Sequence, residues 1–552
     1  MTEQTIAGLL AAADLDEPSP LGGLIARLTA DGRLRGARHG GRAIGPAGLA
    51  GISVNGVTHD SREVAGGWLF VAVPGLHADG HDFVAAAAAA GATAALVDRP
   101  LPDVDLPQLV VDDARQALAA AAAWWYRDPS AALAVVGITG TDGKTTTSFL
   151  ATAALEAAGI RTGMTGTAAT RIGGVQEANE AHATTPEAPE LQRALRAMRV
   201  AGDAAAVIET TSHGLALNRV DGVAYDVAIL TNLTHEHLEL HGTWEAYRDA
   251  KLRLFEKLAR PSPGASTAAG AGGTADGVKP LNWPATGIVN ADDPSAGAFA
   301  GVAQEAGARV ITYGTDPGAD VRATRVEEDQ RRLRIAYEAP SGPATVHVRL
   351  VGRFNVHNAL AVVALGEAVG LDPAAVREGL ASLPVVPGRM ERVDTGQPFG
   401  VIVDFAHSPA SLQTVLDLLA PLAASGGGGV IAVFGSAGER DTAKRPQMGR
   451  IAGERARIVV VTDEDPRGEP REAILDEIAR GAEAAGKRRG HDLLVIADRR
   501  DAIEAAIERA RPGDIVLLAG KGHERSILGP DGPRPWNERA EAEAALHRAG
   551  FG

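Results

Sequence analysis

Short apolar runs recur along the chain, each closed by Gly, Pro or Asp and followed by an alanine-rich stretch with helical spacing. "GWLFVAVPG", "AALVD" and "PQLVVDD" mark three strands within residues 1–130. "WWYRDPSAA" breaks that series at Asp128 and Pro129, and a second series begins with "LAVVGIT", "AAAVIET", "VAILTNL" and "TGIVNA". The pattern resets again near "LPVVPGRMERV" and continues through "FGVIVDFA", "GVIAVFGS", "RIVVVTDE", "LLVIAD" and "DIVLLAG". Strands that alternate with helices predict parallel sheets covered by helices. The expected fold class is therefore α/β with three domains: a small α/β domain over 1–130, a central domain with a parallel sheet over 131–384, and a Rossmann-like domain over 385–552. Segment 260–280, "RPSPGASTAAGAGGTADGVKP", has no apolar periodicity and reads as a mobile surface loop. No internal repeat or heptad run is present.

Length agrees with this division, since 552 residues exceed what one hydrophobic core organises. With 45% hydrophobic and 22% charged residues, the composition is that of a globular protein. A net charge of −15 argues against a general nucleic-acid binder, which needs clustered Lys and Arg to displace counterions. The chain has no Cys, which excludes disulfides, thiolate metal sites and a Cys nucleophile. No basic n-region precedes the apolar patch in "MTEQTIAGLLAAADLDEPSP", and the alanine-rich runs fall short of the ~20 apolar residues of a membrane span. The expectation is a cytoplasmic protein without membrane insertion.

Candidate chemistry begins at "GITGTDGKTTT", where a strand ends, Gly140 and Gly143 shape a turn, and Lys144-Thr145 open a helix. Glycines let backbone N–H groups approach oxyanions, and the helix N-terminus and Lys144 add positive potential. Gly137 and Gly143 enclose five residues where the common phosphate-loop pattern has four, so the loop is a variant. Thr145 can offer its hydroxyl to Mg²⁺, and Glu209, directly after the strand "AAAVI", is a candidate for the same ion. "THEHLELHGTWEAYRDAK" adds three His and two Glu before a helix bearing Lys251. Those residues suit either a second metal or a polar loop with helix caps.

Taken together, "GITGTDGKTTT", "IETTSHGL", "TNLTHEHLELHGTWEAYRDAK", "VNADDP", "GRFNVHN", "VPGRME", "VDFAHSP", "GERDTAKRPQMG", "DEDPRGEP" and "AGKGHE" follow the order found in Mur ligases. The chain most resembles the diamino-acid-adding branch, and the N-terminal "THDSREVAGGWLFVAVPGLHADG" extends the likeness over nearly the whole chain. The resemblance implies an N-terminal domain for the uridine nucleotide, a central ATPase and a C-terminal domain that closes over the amino acid. The implied reaction uses ATP to phosphorylate the D-Glu carboxylate of UDP-N-acetylmuramoyl-L-alanyl-D-glutamate, after which an amine attacks the acyl phosphate. Such chemistry calls for positioning and charge stabilisation rather than a covalent nucleophile.

Site residues carry over by motif. Gly140, Thr141, Gly143, Lys144, Thr145 and Thr146 would hold ATP, with Asn290, Arg389 and Asp404 as further contacts. Thr145 and Glu209 would bind one Mg²⁺, and His237 a second metal. Lys251 matches a lysine that relatives carbamylate to N6-carboxylysine. Lys144, Glu209, His237 and Lys251 form the catalytic set. Ser61, His77, Thr184, Thr185, Ser212 and Arg219 would meet the uridine-linked dipeptide, and Arg440, Asp465, Arg467, Gly520 and Glu524 the amino acid.

Two departures stand out. Asp142 replaces the usual loop Asn, and Glu464-Asp465-Pro466-Arg467 replaces the Asp-Asn-Pro-Arg of diaminopimelate-adding members. Arg467 can pair with the distal carboxylate of meso-diaminopimelate, whereas Asp465 suits the ammonium of lysine or ornithine. Diaminopimelate is favoured, with lysine and ornithine open. A folylpolyglutamate synthase-like enzyme and a non-catalytic ATP-binding scaffold are the competing functions, and a monomer is expected.

Overall fold

The computed structural model describes residues 4–75, 78–179, 183–234, 238–259, 279–328 and 332–552. The fold is α/β, with three principal sheets. Contacts divide the chain into two compact units, one of residues 1–326, 335–346 and 356–381, the other of 327–334, 347–355 and 382–552.

In the first unit, the N-terminal sheet has six strands in the order Arg42–Ile44, Leu34–His39, Gln108–Val111, Ala94–Val97, Leu69–Val71, Val57–Thr58. The last four run parallel, and the hairpin 34–44 adds antiparallel to their edge. Leu69, Val71, Leu96, Leu109 and Val111 bury one face against Ala117, Leu118 and Ala121 of the helix Ala114–Trp125. Asp113 caps that helix by accepting from the Arg115 and Gln116 amides, satisfying two otherwise orphaned donors.

The central sheet has eleven strands. Its parallel core runs Thr162–Thr165, Ala205–Glu209, Ala134–Thr139, Val227–Leu230, Thr286–Asn290, Arg309–Gly314. All six residues of Ala134–Thr139 are buried, which is why this strand reads as a continuous apolar run rather than an alternating one. The parallel reading needs amendment at one edge, where Ala169–Ile172 and Val175–Ala178 form an antiparallel hairpin, and at the other edge Val321–Glu328, Leu333–Glu338 and Ala344–Val348 complete the sheet.

In the second unit, the order is Glu391–Val393, Gly400–Asp404, Ile515–Ala519, Val430–Phe434, Ile458–Val461, Leu493–Val495, parallel except at Glu391–Val393. Alternate residues of these strands bury into two cores, one around Val430, Ala432, Val459 and Leu517, the other around Ile431, Val433, Val460 and Val516. Both faces are thus covered, as a parallel sheet requires. No helix among the described residues is long and apolar enough to cross a membrane.

Candidate active site

Register brings the first cluster together. Glu209 pairs with Ile138 on one side of the strand Ala134–Thr139, and Leu230 pairs with Thr139 on the other. Three adjacent strands therefore end at one level, where ligands of open α/β sheets bind. The chain leaves through Gly140, whose φ of +148° and packing admit only glycine, because a Cβ would lie 1.9 Å from Thr231 Oγ1. Gly143 (φ +84°) then turns it into the helix Lys144–Ala157. Lys144 Nζ donates to the carbonyls of Gly140 (3.0 Å) and Thr141 (2.7 Å). The Thr141 hydroxyl lies 3.0 Å from that of Tyr247, and Thr146 is buried in the first turn of the helix Lys144–Ala157.

Glu209 is fully buried and accepts from Thr145 Oγ1 (3.0 Å), Thr167 N (3.0 Å) and Thr167 Oγ1 (2.9 Å). Thr167 was not foreseen from sequence, since an isolated Thr after a strand carries no pattern of its own. Its hydroxyl also lies 2.9 Å from Thr184 Oγ1. Thr185 donates to the Glu209 carbonyl (2.9 Å), and Arg219 holds the Thr185 carbonyl (3.0 Å) and Glu187 (2.6 Å). Ser212 is buried, and its hydroxyl has no partner among the described residues. Four of the residues expected along the dipeptide, Thr184, Thr185, Ser212 and Arg219, therefore gather on the Glu209 side of the loop.

Lys251 is buried on the helix Trp244–Glu256, which Thr243 caps. Its Nζ donates to the Gly140 carbonyl (2.7 Å) and lies 4.6 Å from the centre of the Tyr247 ring, one turn earlier. Lys144 and Lys251 thus meet at one loop carbonyl. His237 and His77 lie outside the described residues, as does most of segment 260–280. Asn290 is buried, its amide donating to Thr231 O (2.7 Å) and accepting from Asp292 N (3.1 Å). Ser61 is half-buried in a turn of the N-terminal sheet, and the Asp142 side chain is exposed.

Thr145 and Glu209 form a pair of hard oxygen donors at the phosphate loop, the chemistry Mg²⁺ takes when phosphates and waters complete its shell. Among the described residues no group of three or more His, Asp or Glu forms a self-sufficient metal site.

The second cluster lies at the strand ends of the other unit. Asp404, paired with Ala519, accepts from Met390 N and Ala406 N (2.8 Å each), and Arg389 stacks 4.7 Å over the Phe405 ring. Lys521 is buried between Asp465 (2.8 Å) and Glu524 (2.5 Å). Burial opposes its charge, but Glu524 and Asp465 hold its pKa above the ordinary lysine value. Burial pushes the Glu524 carboxyl up to about 7; Lys521 pulls it back, and Asp465 and Glu464 add to the rise. Glu464 is buried, with Oε2 unpartnered, and touches the space beside Gly520. Glu464 and Lys521 were missed as pocket members although both stand inside quoted motifs. Asp465 also accepts from Leu528 N (2.9 Å), so its charge is matched from within the fold. Arg467 has a left-handed φ of +53° and a buried Nε without a partner, while Arg440 is exposed.

Comparison with known proteins identifies the family. Models of the Mur ligase family catalytic domain, the Mur ligase middle domain and the Mur ligase glutamate ligase domain match residues 53–126, 138–266 with 278–366, and 388–522. A UDP-N-acetylmuramyl-tripeptide synthetase of Roseiflexus sp. is 48% identical over 90% of this chain and 96% of its own length. A UDP-N-acetylmuramoyl-L-alanyl-D-glutamate--2,6-diaminopimelate ligase of Geobacter metallireducens is 39% identical over 92% and 97%. A solved structure bearing that same ligase name aligns with TM-score 0.60 at 29% identity, covering 91% of this chain and 97% of the other. The chain belongs to the Mur ligase family and is a MurE-like, ATP-dependent ligase of peptidoglycan synthesis.

Proposed function

We propose that the chain adds a diamino acid, meso-diaminopimelate in preference, to the D-Glu carboxylate of UDP-N-acetylmuramoyl-L-alanyl-D-glutamate through an acyl phosphate. The observation that carries this reading is the convergence of Lys144, Thr145, Glu209 and Lys251 on one phosphate loop, with the dipeptide candidates on its Glu209 side. In the division of labour we assign, residues 1–130 hold the uridine nucleotide, 131–384 the ATP and 385–552 the amino acid.

Lys144 leaves the loop carbonyls to pair with the β- and γ-phosphates. Mg²⁺ held by Thr145 and Glu209 would neutralise the charge that develops on the phosphate oxygens. The glutamyl carboxylate attacks the γ-phosphorus and ADP departs; the amine nitrogen then attacks the acyl carbon and phosphate departs with the former carboxylate oxygen. Lys251, converted by carbon dioxide to a carbamate, supplies an anion in place of its cation. We assign His237 to a second metal, and Asn290, Arg389 and Asp404 to the nucleotide.

Asp465 and Glu524 share one ammonium, Lys521, and Glu464 stands beside Gly520 with Oε2 unpartnered, which leaves the pocket open to a cation. Ammonium groups of a diamino acid complete it. A carboxyl titrating near 7 is matched to take the proton that the attacking amine must lose. Asp465 is neutralised by Lys521, so its repulsion of a distal carboxylate is weakened, while Arg467 offers an unpartnered guanidinium donor. This combination supports diaminopimelate over lysine and ornithine. Phosphate release with ATP, Mg²⁺, the uridine dipeptide and each amino acid in turn tests the reading. Turnover with diaminopimelate is expected; turnover with lysine or ornithine alone would reassign the substrate, and none with any of the three would refute the ligase reading.

A further inference from the structure

Arg499, the first residue of the helix Arg499–Arg509, is a fully buried cation in none of the motifs that mark the site. Its guanidinium makes bonds in three directions. Nη1 donates to the carbonyl of Asp463 (2.9 Å), and Nη2 to the carbonyl of Ala519 (2.7 Å). Nε and Nη2 grip the Glu538 carboxylate (2.6 to 3.1 Å), which is itself buried and receives the Trp536 indole N–H (2.6 Å).

The two carbonyls belong to segments that the sheet does not join. Ala519 ends the strand Ile515–Ala519, Asp463 follows the strand Ile458–Val461, and Val430–Phe434 lies between those strands. Directly beyond each carbonyl stands one half of the carboxylate cluster: Glu464 and Asp465 after Asp463, Gly520, Lys521 and Glu524 after Ala519. Burial disfavours the Arg499 charge, but Glu538, with Glu464 and Glu524 beyond it, keeps the group firmly ionised.

We propose that Arg499, oriented by Glu538 and Trp536, is a positioning residue for the amino-acid pocket, setting the separation of its two halves across the intervening strand. A planar guanidinium holds two carbonyls and a carboxylate in one fixed fork, which a lysine ammonium cannot reproduce. Arg499 touches no substrate in this account; it acts through Glu464, Asp465, Lys521 and Glu524. The inference rests on the assignment of that cluster as the amino-acid site.

Steady-state kinetics of the full-length wild type, Arg499→Lys and Trp536→Phe, varying diaminopimelate, ATP and the uridine dipeptide separately, test it. Arg499→Lys is expected to raise KM for the amino acid about ten- to a hundredfold, as misplacement of a positioned group does, with KM for the other two substrates unchanged. Trp536→Phe keeps both charges and removes one donor to Glu538, so a smaller rise confined to the same KM is expected. A variant that loses thermal stability but keeps its amino-acid KM, or one in which all three KM values move together, would overturn the proposal. Should Arg499→Lys not fold, Trp536→Phe decides on the same criterion. A wild type that releases no phosphate with any diamino acid would instead sink the pocket assignment.

Discussion

The proposed phosphate loop and the proposed amino-acid pocket solve opposite electrostatic problems with opposite materials. At the loop, backbone shape does the work: two left-handed glycines, a helix N-terminus, and two lysines parked on the loop's own carbonyls. A phosphate entering there would find two lysines that already share the Gly140 carbonyl. The pocket is made of side chains, with Lys521 wedged between Asp465 and Glu524 and Glu464 alongside. In the proposed function it takes the ammonium groups of the amino acid. An anion site can be written into one short turn, whereas a cation site here is assembled from strand ends far apart in sequence.

The largest expected effect tests the loop half. Lys144→Ala should lower turnover by about a thousandfold or more, since it removes the charge at the transferring phosphoryl group. Uridine-dipeptide binding, measured by calorimetry, should persist; loss of both would mean that the loop organises more than phosphate. Next, Lys251→Ala should cost about a hundredfold and be partly restored by a small carboxylate in the assay. Absence of rescue at every concentration would count against the carbamate.

The pocket half is probed by Arg467→Lys, which should reduce kcat/KM for diaminopimelate about ten- to a hundredfold while changing lysine or ornithine use far less. Equal losses for all amino acids would place Arg467 outside specificity. Glu524 gives a pH signature. Its carboxyl titrates near 7, above the ordinary carboxylate range, so the folded chain binds this proton more tightly than the unfolded chain. Its contribution is fully present below the ordinary Glu pKa and is lost as pH rises through about 7. Glu524→Gln should therefore gain thermal stability relative to wild type as pH rises across that window, and a difference independent of pH would contradict the titration. The smallest effect is expected for Asp142→Asn. Its side chain faces solvent, so KM for ATP should change by less than about threefold, consistent with a screened surface charge.

The contrast also explains what the sequence disclosed. Gly140, Gly143, Lys144, Thr145 and Glu209 are legible because a strand, a turn and a helix start leave a contiguous pattern, and burial of the parallel strands makes them unmistakable apolar runs. The hairpin 34–44 and the antiparallel edge 169–178 passed unseen because their exposed faces break the apolar runs. Thr167, Glu464, Lys521 and Arg499 depend on tertiary placement; nothing local tells Arg499 apart from a solvated arginine, yet it is wholly buried. Lys251 was found by family motif alone, and its burial against Gly140 and Tyr247 gives that match a physical setting.

The central claim is that the loop activates the glutamyl carboxylate as an acyl phosphate before the pocket delivers the amine. The most direct measurement supplies uridine dipeptide labelled with oxygen-18 in the D-Glu side-chain carboxylate, with ATP, Mg²⁺ and diaminopimelate, and follows the label by mass spectrometry. Transfer of one labelled oxygen into each phosphate released is the expected result; phosphate that carries none while ligation proceeds would contradict the account.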